Sequence, residues 1–437
     1  MEWWLILLII LGGLIVLMTL GLPIAFCFLL INLAGVFILM GGEPGLLQLG
    51  RNIFTSVTAF TLMPLPLFIL MGEVMFQSGI APKMMDTIDK WLGRLPGRLG
   101  LLAVGSGTML SFLTGASMSS TAILGSVLVP EMEKRGYQKS MSLGPILGSG
   151  GLAVMIPPSA LAVLYASIVE ISIGRTLIGI IIPGILMGVF YAAYIVIRCW
   201  LQPSIAPPYV VPPTSLLSKV TDTVRYILPL GFIVFLVIGL IILGVATPTE
   251  AAATGTIGTF ILAAAYRRLN WEVVRKSFSS AMTITVMIFM IIAGAKAYAQ
   301  ILAFSGATPG LVNFIVGLPL DPILTFLSMQ AVVIFLGMFM STSAVVMVLG
   351  PLFMPVVQAI GYDPIWFGVV FLICTEMGFT SPPYGANLFV MLGVAPPGTT
   401  LGDCYRAGLP FLGCDLMAVI LVTTFPALAL WLPGIMR

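Results

Sequence analysis

Two segments carry residues whose types and spacing could do chemistry: "GSGGLAVMIPPS" (148–159) and "EMGFTSPPYGAN" (376–387), each with a Pro-Pro pair inside a long apolar run. Proline has no amide donor and its ring clashes with the carbonyl four residues back, so Pro-Pro beside glycine unwinds a helix. In apolar surroundings the freed carbonyls need a partner other than bulk water. A hard cation such as Na+ is one such partner, and the N-terminus of the resumed half-helix is the complementary place for an anion. A short polar tip accompanies each break: Thr114-Gly115-Ala116-Ser117-Met118-Ser119-Ser120-Thr121 before the first, and Ser341-Thr342-Ser343 before the second. A lone proline kink is more often structural, with its carbonyls satisfied by water or Ser/Thr. Two kinks at matching places, each with a polar tip, point to function.

The match between the two places is literal. One constant shift along the chain turns Gly125, Pro130, Gly136, Tyr137, Pro157 and Pro158 into Gly350, Pro355, Gly361, Tyr362, Pro382 and Pro383, without a gap. The chain therefore contains an internal repeat.

The elements that hold these breaks must lie in lipid. Of 437 residues, 59% are apolar and only 8% charged, with a mean hydropathy of +1.14. A soluble domain carries about 25% charged residues. At about 20 apolar residues per spanning helix, the length allows roughly a dozen hydrophobic segments. No Gly-Lys-Ser or Gly-Lys-Thr phosphate loop occurs, which argues against ATP-driven pumping by this chain. With no histidine there is neither a His-based zinc site nor an imidazole relay. The net charge of +3 is too small and dispersed for nucleic acid. Cys27, Cys199, Cys374, Cys404 and Cys414 show no Cys-x-x-Cys spacing and read as apolar helix residues. The opening Met-Glu-Trp-Trp lacks the basic region of a signal peptide, so the first apolar run is expected to stay as a helix.

Apolar runs fall at about 3–20, 22–40, 52–77, 99–114, 118–132, 138–169, 177–199, 227–245, 249–266, 277–301, 322–340, 343–359, 364–393 and 409–432. Residues 202–225, rich in proline, read as an extended linker, and 267–276 as a short basic loop. The runs 99–114 with 118–132, and 322–340 with 343–359, are short for full spans and joined by minimal polar turns, which favours re-entrant hairpins. With every other run crossing once and the N-terminus outside, the inward loops hold 15 Lys and Arg against 3 outside. The positive-inside rule prefers that orientation. Five crossings separate the repeats, and an odd number inverts the second copy. This is the architecture of alternating-access secondary transporters.

The matching segments resemble the large membrane subunit, of DctM type, of the tripartite ATP-independent periplasmic (TRAP) transporters. The resemblance rests on "LGSVLVPEMEKRGY" (124–137), "GGLAVMIPPS" (150–159), "TPTEAAATG" (247–255) and "EMGFTSPPYGANLFV" (376–390), and covers nearly the whole chain. Two departures stand out: the first tip replaces a Ser-Gly-Ser-Ser-like run, and Tyr384 stands where a small aliphatic residue is usual.

The resemblance implies an all-α polytopic, elevator-type importer driven by Na+. Its transport domain would comprise residues 99–170 and 322–393, and its scaffold 1–98, 171–321 and the C-terminal helix of 394–437. It also implies a small four-helix membrane subunit of DctQ type as a separate chain, a periplasmic binding protein of DctP type that delivers an organic acid, and a place in the bacterial inner membrane. Carried over, one Na+ would use oxygens of Ser111, Thr114, Ala153, Ile156 and Pro158. A second would use Gly337, Gly378, Ser381 and Tyr384, mostly through backbone carbonyls. The solute would face Ser117, Ser119, Ser341, Ser343 and Asn387.

The charges within apolar runs read mostly as structural. Thr247-Pro248-Thr249-Glu250 has the form of a helix start, with Thr247 the N-cap and Glu250 closing a capping box. Glu376 either organises the second ion site or caps freed amides, since a buried acid at that depth needs a partner. Glu73 orients packing near the cytoplasmic end. Lys296 is either a carboxylate counter-ion or, by the simpler reading, snorkels to the outer interface. The basic stretch 83–98 with Trp91 reads as an interfacial anchor to membrane lipid. Two alternatives remain: a self-sufficient Na+/carboxylate symporter of the divalent-anion type, and an intramembrane enzyme. The enzyme is disfavoured by the lack of histidine and of any paired acid.

Overall fold

The computed structural model describes residues 2–93, 95–114, 117–207 and 215–436, without the side chains of Ala81 and of residues 111–114. Among the described residues every regular element is helical. Among them six helices are long and apolar enough to cross a membrane, or seven if the bent pair Lys139–Met155 and Ala160–Ile168 counts as one span. Large apolar side chains such as Ile38, Phe54, Phe235 and Ile261 are exposed on the outside, as a lipid-facing surface requires.

The shift that relates the two sets of turn residues also carries Ser117–Lys134 onto Thr342–Ala359 and Lys139–Met155 onto Pro364–Thr380, end for end. The flanking helices correspond within one or two residues: Arg98–Thr114 with Pro322–Gly337, and Ala160–Ile168 with Ala386–Val394. The repeat read from turn residues is thus a repeat of helices. Lys139–Met155 is fully buried from Met141 onward and Pro364–Thr380 from Ile365 onward, so these two helices form the centre of the molecule. Leu401–Thr424 closes over the first of them at glycines. A Cβ on Gly148 would stand 2.5 Å from the Phe411 ring, so only glycine permits this approach.

The longest helix, Trp271–Phe304, has 34 residues and a length of about 50 Å at 1.5 Å per residue. It packs against the N-terminal helices Ile24–Leu39, Glu43–Val57 and Pro64–Gln77. Asn32 donates to the Gly294 carbonyl at 2.8 Å, and Asn52 bonds to Gln300. These side-chain amides tie the N-terminal helices to the long helix.

Four expected elements change at their ends. The run 52–77 is two helices, because the chain turns through Phe60–Leu62 and restarts at Pro64, a residue suited to the first helical position. The final run is likewise Leu401–Thr424 and Ala427–Ile435, parted near Pro426. The linker 202–225 is not extended throughout. Ser215 caps Leu216–Asp222, which continues through Thr223–Ile227 into Leu228–Ile242, while residues 208–214 lie outside the described residues. The basic loop 267–276 is half helix, since Asn270 caps Trp271–Phe304 and Glu272 pairs with Lys276 at 2.7 Å one turn on.

The basic stretch after residue 80 is the amphipathic helix Ala81–Leu92, held to the helical part of the linker. Trp91 Nε1 donates to Thr223 Oγ1 at 2.7 Å, Lys219 lies 5.8 Å from the Trp91 ring centre, and Lys90 pairs with Asp222. Trp91 is still half exposed.

Candidate functional site

Both Pro-Pro pairs interrupt their helices as expected. Lys139–Met155 ends at Ile156, whose backbone is extended. Ser159 Oγ accepts from the Ala162 amide at 3.2 Å to start Ala160–Ile168. The two half-helices meet at 46°. Pro364–Thr380 ends at extended Ser381, whose Oγ donates to the Met377 carbonyl at 2.6 Å. Both Pro-Pro peptide bonds are cis.

The second break gathers carbonyls tightly. A Cβ on Gly385 would lie 2.7 Å from both the Phe379 and Ser381 carbonyl oxygens, so this cradle admits only glycine. Gly337, the last residue of the helix Pro322–Gly337, meets Gly378 directly. A Cβ on Gly337 would stand 3.0 Å from the Gly378 Cα and 3.3 Å from the Thr375 oxygen. Three of the four residues expected to hold a second ion, Gly337, Gly378 and Ser381, are therefore brought together. The Tyr384 side chain is exposed and turns to the Phe339 ring, 5.5 Å centre to centre, which leaves only its backbone to that site. For the first ion, Ala153, Ile156 and Pro158 line the break, whereas the side chains of Ser111 and Thr114 lie outside the described residues.

The five expected solute residues divide. Ser117 and Asn387 are buried, Ser119 and Ser341 are exposed, and Ser343 is half-buried. Ser341 Oγ accepts from the Ala344 amide at 3.3 Å, a helix cap that structure alone explains. Ser117 Oγ donates to both carboxylate oxygens of Glu376 at 2.8 Å, joining the first tip to the second broken helix. Among the described residues, Asn387 has no partner for either amide atom, nor has the Thr121 hydroxyl. They converge on one point: a Cβ on Gly150 would lie 2.7 Å from Thr121 Oγ1, 3.1 Å from Asn387 Nδ2 and 3.5 Å from the Ser117 carbonyl.

Asp415 is a buried acid that pattern reading overlooked. It bonds to Tyr191, which is itself fully buried. The signal was present, because a lone carboxylate within an apolar run demands a partner. Its partner lies 224 residues away and could not be named from the chain. Glu250 and Thr247 form the expected capping box, with the Thr247 amide 2.8 Å from the Glu250 carboxylate. Lys296 is a counter-ion within the protein, 3.0 Å from Glu170. That pair lines a cavity of about 560 Å³ between Phe60, Ser167 and Thr247.

The family model for the tripartite ATP-independent periplasmic transporter, DctM component, matches residues 11–428. The C4-dicarboxylate TRAP transporter large permease protein DctM of Pseudomonas aeruginosa is 31% identical over 400 residues, covering 91% of this chain and 92% of that protein. The isethionate TRAP transporter permease protein DctMQ of Oleidesulfovibrio alaskensis is 29% identical over 421 residues; the match covers 95% of this chain but 65% of that longer protein. In fold, the chain resembles the crystal structure of the Alcanivorax borkumensis YdaH transporter, with a TM-score of 0.66 at 14% identity over 94% of this chain and 98% of that one. Such relatives are transport proteins rather than enzymes, and the apolar helices make this a multi-pass membrane protein. The chain belongs to the DctM component family of tripartite ATP-independent periplasmic transporters.

Proposed function

We propose that this chain is the permease of a Na+-coupled importer that takes an organic acid from a periplasmic binding protein and moves it by an elevator mechanism. The observation that carries the reading is the end-for-end correspondence of two helix pairs under a single shift along the chain, each followed by a Pro-Pro break. Opposite insertion of the two copies, as the loop charges favour, makes their first helix pairs re-entrant hairpins that meet near mid-membrane. The N-terminus is then periplasmic and the membrane the bacterial inner one. The hairpins and broken helices move together against a scaffold that includes Trp271–Phe304.

The coupling ions are held at the two breaks. Carbonyl oxygens around Gly337, Gly378 and Ser381 support one site, and those around Ala153, Ile156 and Pro158 the other, a donor set suited to a hard cation. Solute class follows the relatives, named for a C4-dicarboxylate and for isethionate, both organic acid anions. Ser119, Ser341 and Ser343 present hydroxyls to it. The partners are a small DctQ-type membrane subunit and a DctP-type binding protein.

The test is uptake in proteoliposomes holding this chain, its small subunit and its binding protein, with Na+ present or replaced by choline. Uptake that collapses without a Na+ gradient, and without the binding protein, supports the reading. Uptake indifferent to Na+ overturns the coupling, and uptake without the binding protein overturns the tripartite route.

A further inference from the structure

We infer that Glu376, Ser117, Thr121 and Asn387 build a third Na+ site, separate from the two carbonyl-lined breaks. This rests on the Na+-coupled reading and goes beyond it. Glu376 is 3% exposed, and its described partner is the Ser117 hydroxyl alone. No described lysine or arginine forms an ion pair with it. A carboxylate offers about four acceptor positions, and a buried one without a counter-charge is costly by several kcal/mol. Its surroundings call for a positive charge.

Side chains that would complete such a site lie beside Ser117 and are unused. Thr121 and Asn387 are fully buried, with the hydroxyl and both amide atoms unpartnered among the described residues. An unpaired buried polar group costs about 1–3 kcal/mol, so leaving three together points to a ligand. The Asn387 amide can present oxygen or nitrogen to the same point by a flip. Gly150 keeps that point clear of side chain. Gly151, next in the helix, leaves its missing Cβ 3.9 Å from the Glu376 Cβ. The donors are one carboxylate, a hydroxyl, an amide oxygen and the Ser117 carbonyl. Their total charge is neutralised by a monovalent ion, whereas a divalent ion would leave net charge in an apolar interior. Ser117 and Asn387, placed above among the solute contacts, thereby serve the ion.

The experiment measures equilibrium 22Na+ binding by the purified complex with its small subunit, in wild type, E376Q and T121V. Wild type is expected to bind about three ions per chain and E376Q about two, with T121V weakening one ion roughly tenfold. T121V is close in shape to the native residue and keeps the test open where E376Q fails to fold. An unchanged ion count in E376Q, or a T121V affinity equal to wild type, overturns the third site and leaves Na+ coupling standing. A wild-type complex that binds no 22Na+ overturns both.

Discussion

Gly151 and Glu376 hold the same position in the two repeats and face each other across the centre of the molecule, with 3.9 Å between the missing Cβ and the Glu376 Cβ. One copy supplies a carboxylate and the other supplies the room for it. The repeats match in helices but not in chemistry. The pseudo-symmetry therefore puts charge on one side of this contact only.

This difference separates two neighbouring substitutions. A Cβ on Gly151 meets its nearest atoms at ordinary contact distance, so Gly151→Ala should fold and transport nearly as wild type. Gly150→Ala puts the Cβ 2.7 Å from Thr121 Oγ1 and 3.1 Å from Asn387 Nδ2. It should lower uptake by about tenfold or more, because packed groups must give way. Uptake in proteoliposomes at limiting Na+ checks the contrast.

Ser117→Ala removes the hydroxyl that donates to Glu376. The expected loss is about 1–3 kcal/mol, since a buried acceptor is left unmade. Ser117→Thr should recover most of it. Thermal unfolding of the detergent-solubilised complex, at high and low Na+, measures the effect. An alanine variant as stable as wild type would show that this hydrogen bond is immaterial.

Gly337 and Gly378 pack backbone to backbone. A Cβ on Gly378 would stand 2.6 Å from the Ile334 oxygen and 2.8 Å from the Gly337 Cα, tighter than the reverse substitution. Gly378→Ala is expected to be the worse of the two, by about 1–3 kcal/mol of overpacking. The Na+ concentration for half-maximal uptake should rise in both. A Na+ dependence unchanged in both variants would place the second ion elsewhere.

Lys296 and Glu170 form an ion pair in which Glu170 is three-quarters exposed, so its strength is below about 1 kcal/mol. Lys296→Glu or Glu170→Lys alone should reduce uptake modestly, more at low ionic strength, and the exchanged pair should restore it. Failure of the exchange to restore uptake would assign Lys296 a role beyond this pair.

Much of the candidate site was legible because its signals are local. Proline removes a donor from its own helix, and Thr247 with Glu250 forms a cap within four residues. Where reading fell short, the information lay in another helix. Asp415 shows only a lone acid until Tyr191 is brought beside it, and Lys296 shows only a cation until Glu170 is. The linker and the basic loop are more helical than their composition suggests, because Ser215 and Asn270 act as helix caps.

By itself, the sequence determined that this chain lives in lipid, repeats its helices, and breaks two of them at matching prolines. Those are consequences of hydropathy and of a missing amide, which act within one segment. Only the tertiary structure decided that Ser117 meets Glu376 across 259 residues, and that Thr121 and Asn387 turn toward Gly150 with their polar groups unpartnered among the described residues. Which faces of two helices meet depends on side-chain volumes along the whole contact. At Gly150 it is the absence of a side chain, a quantity no periodic pattern records, that lets the polar groups converge.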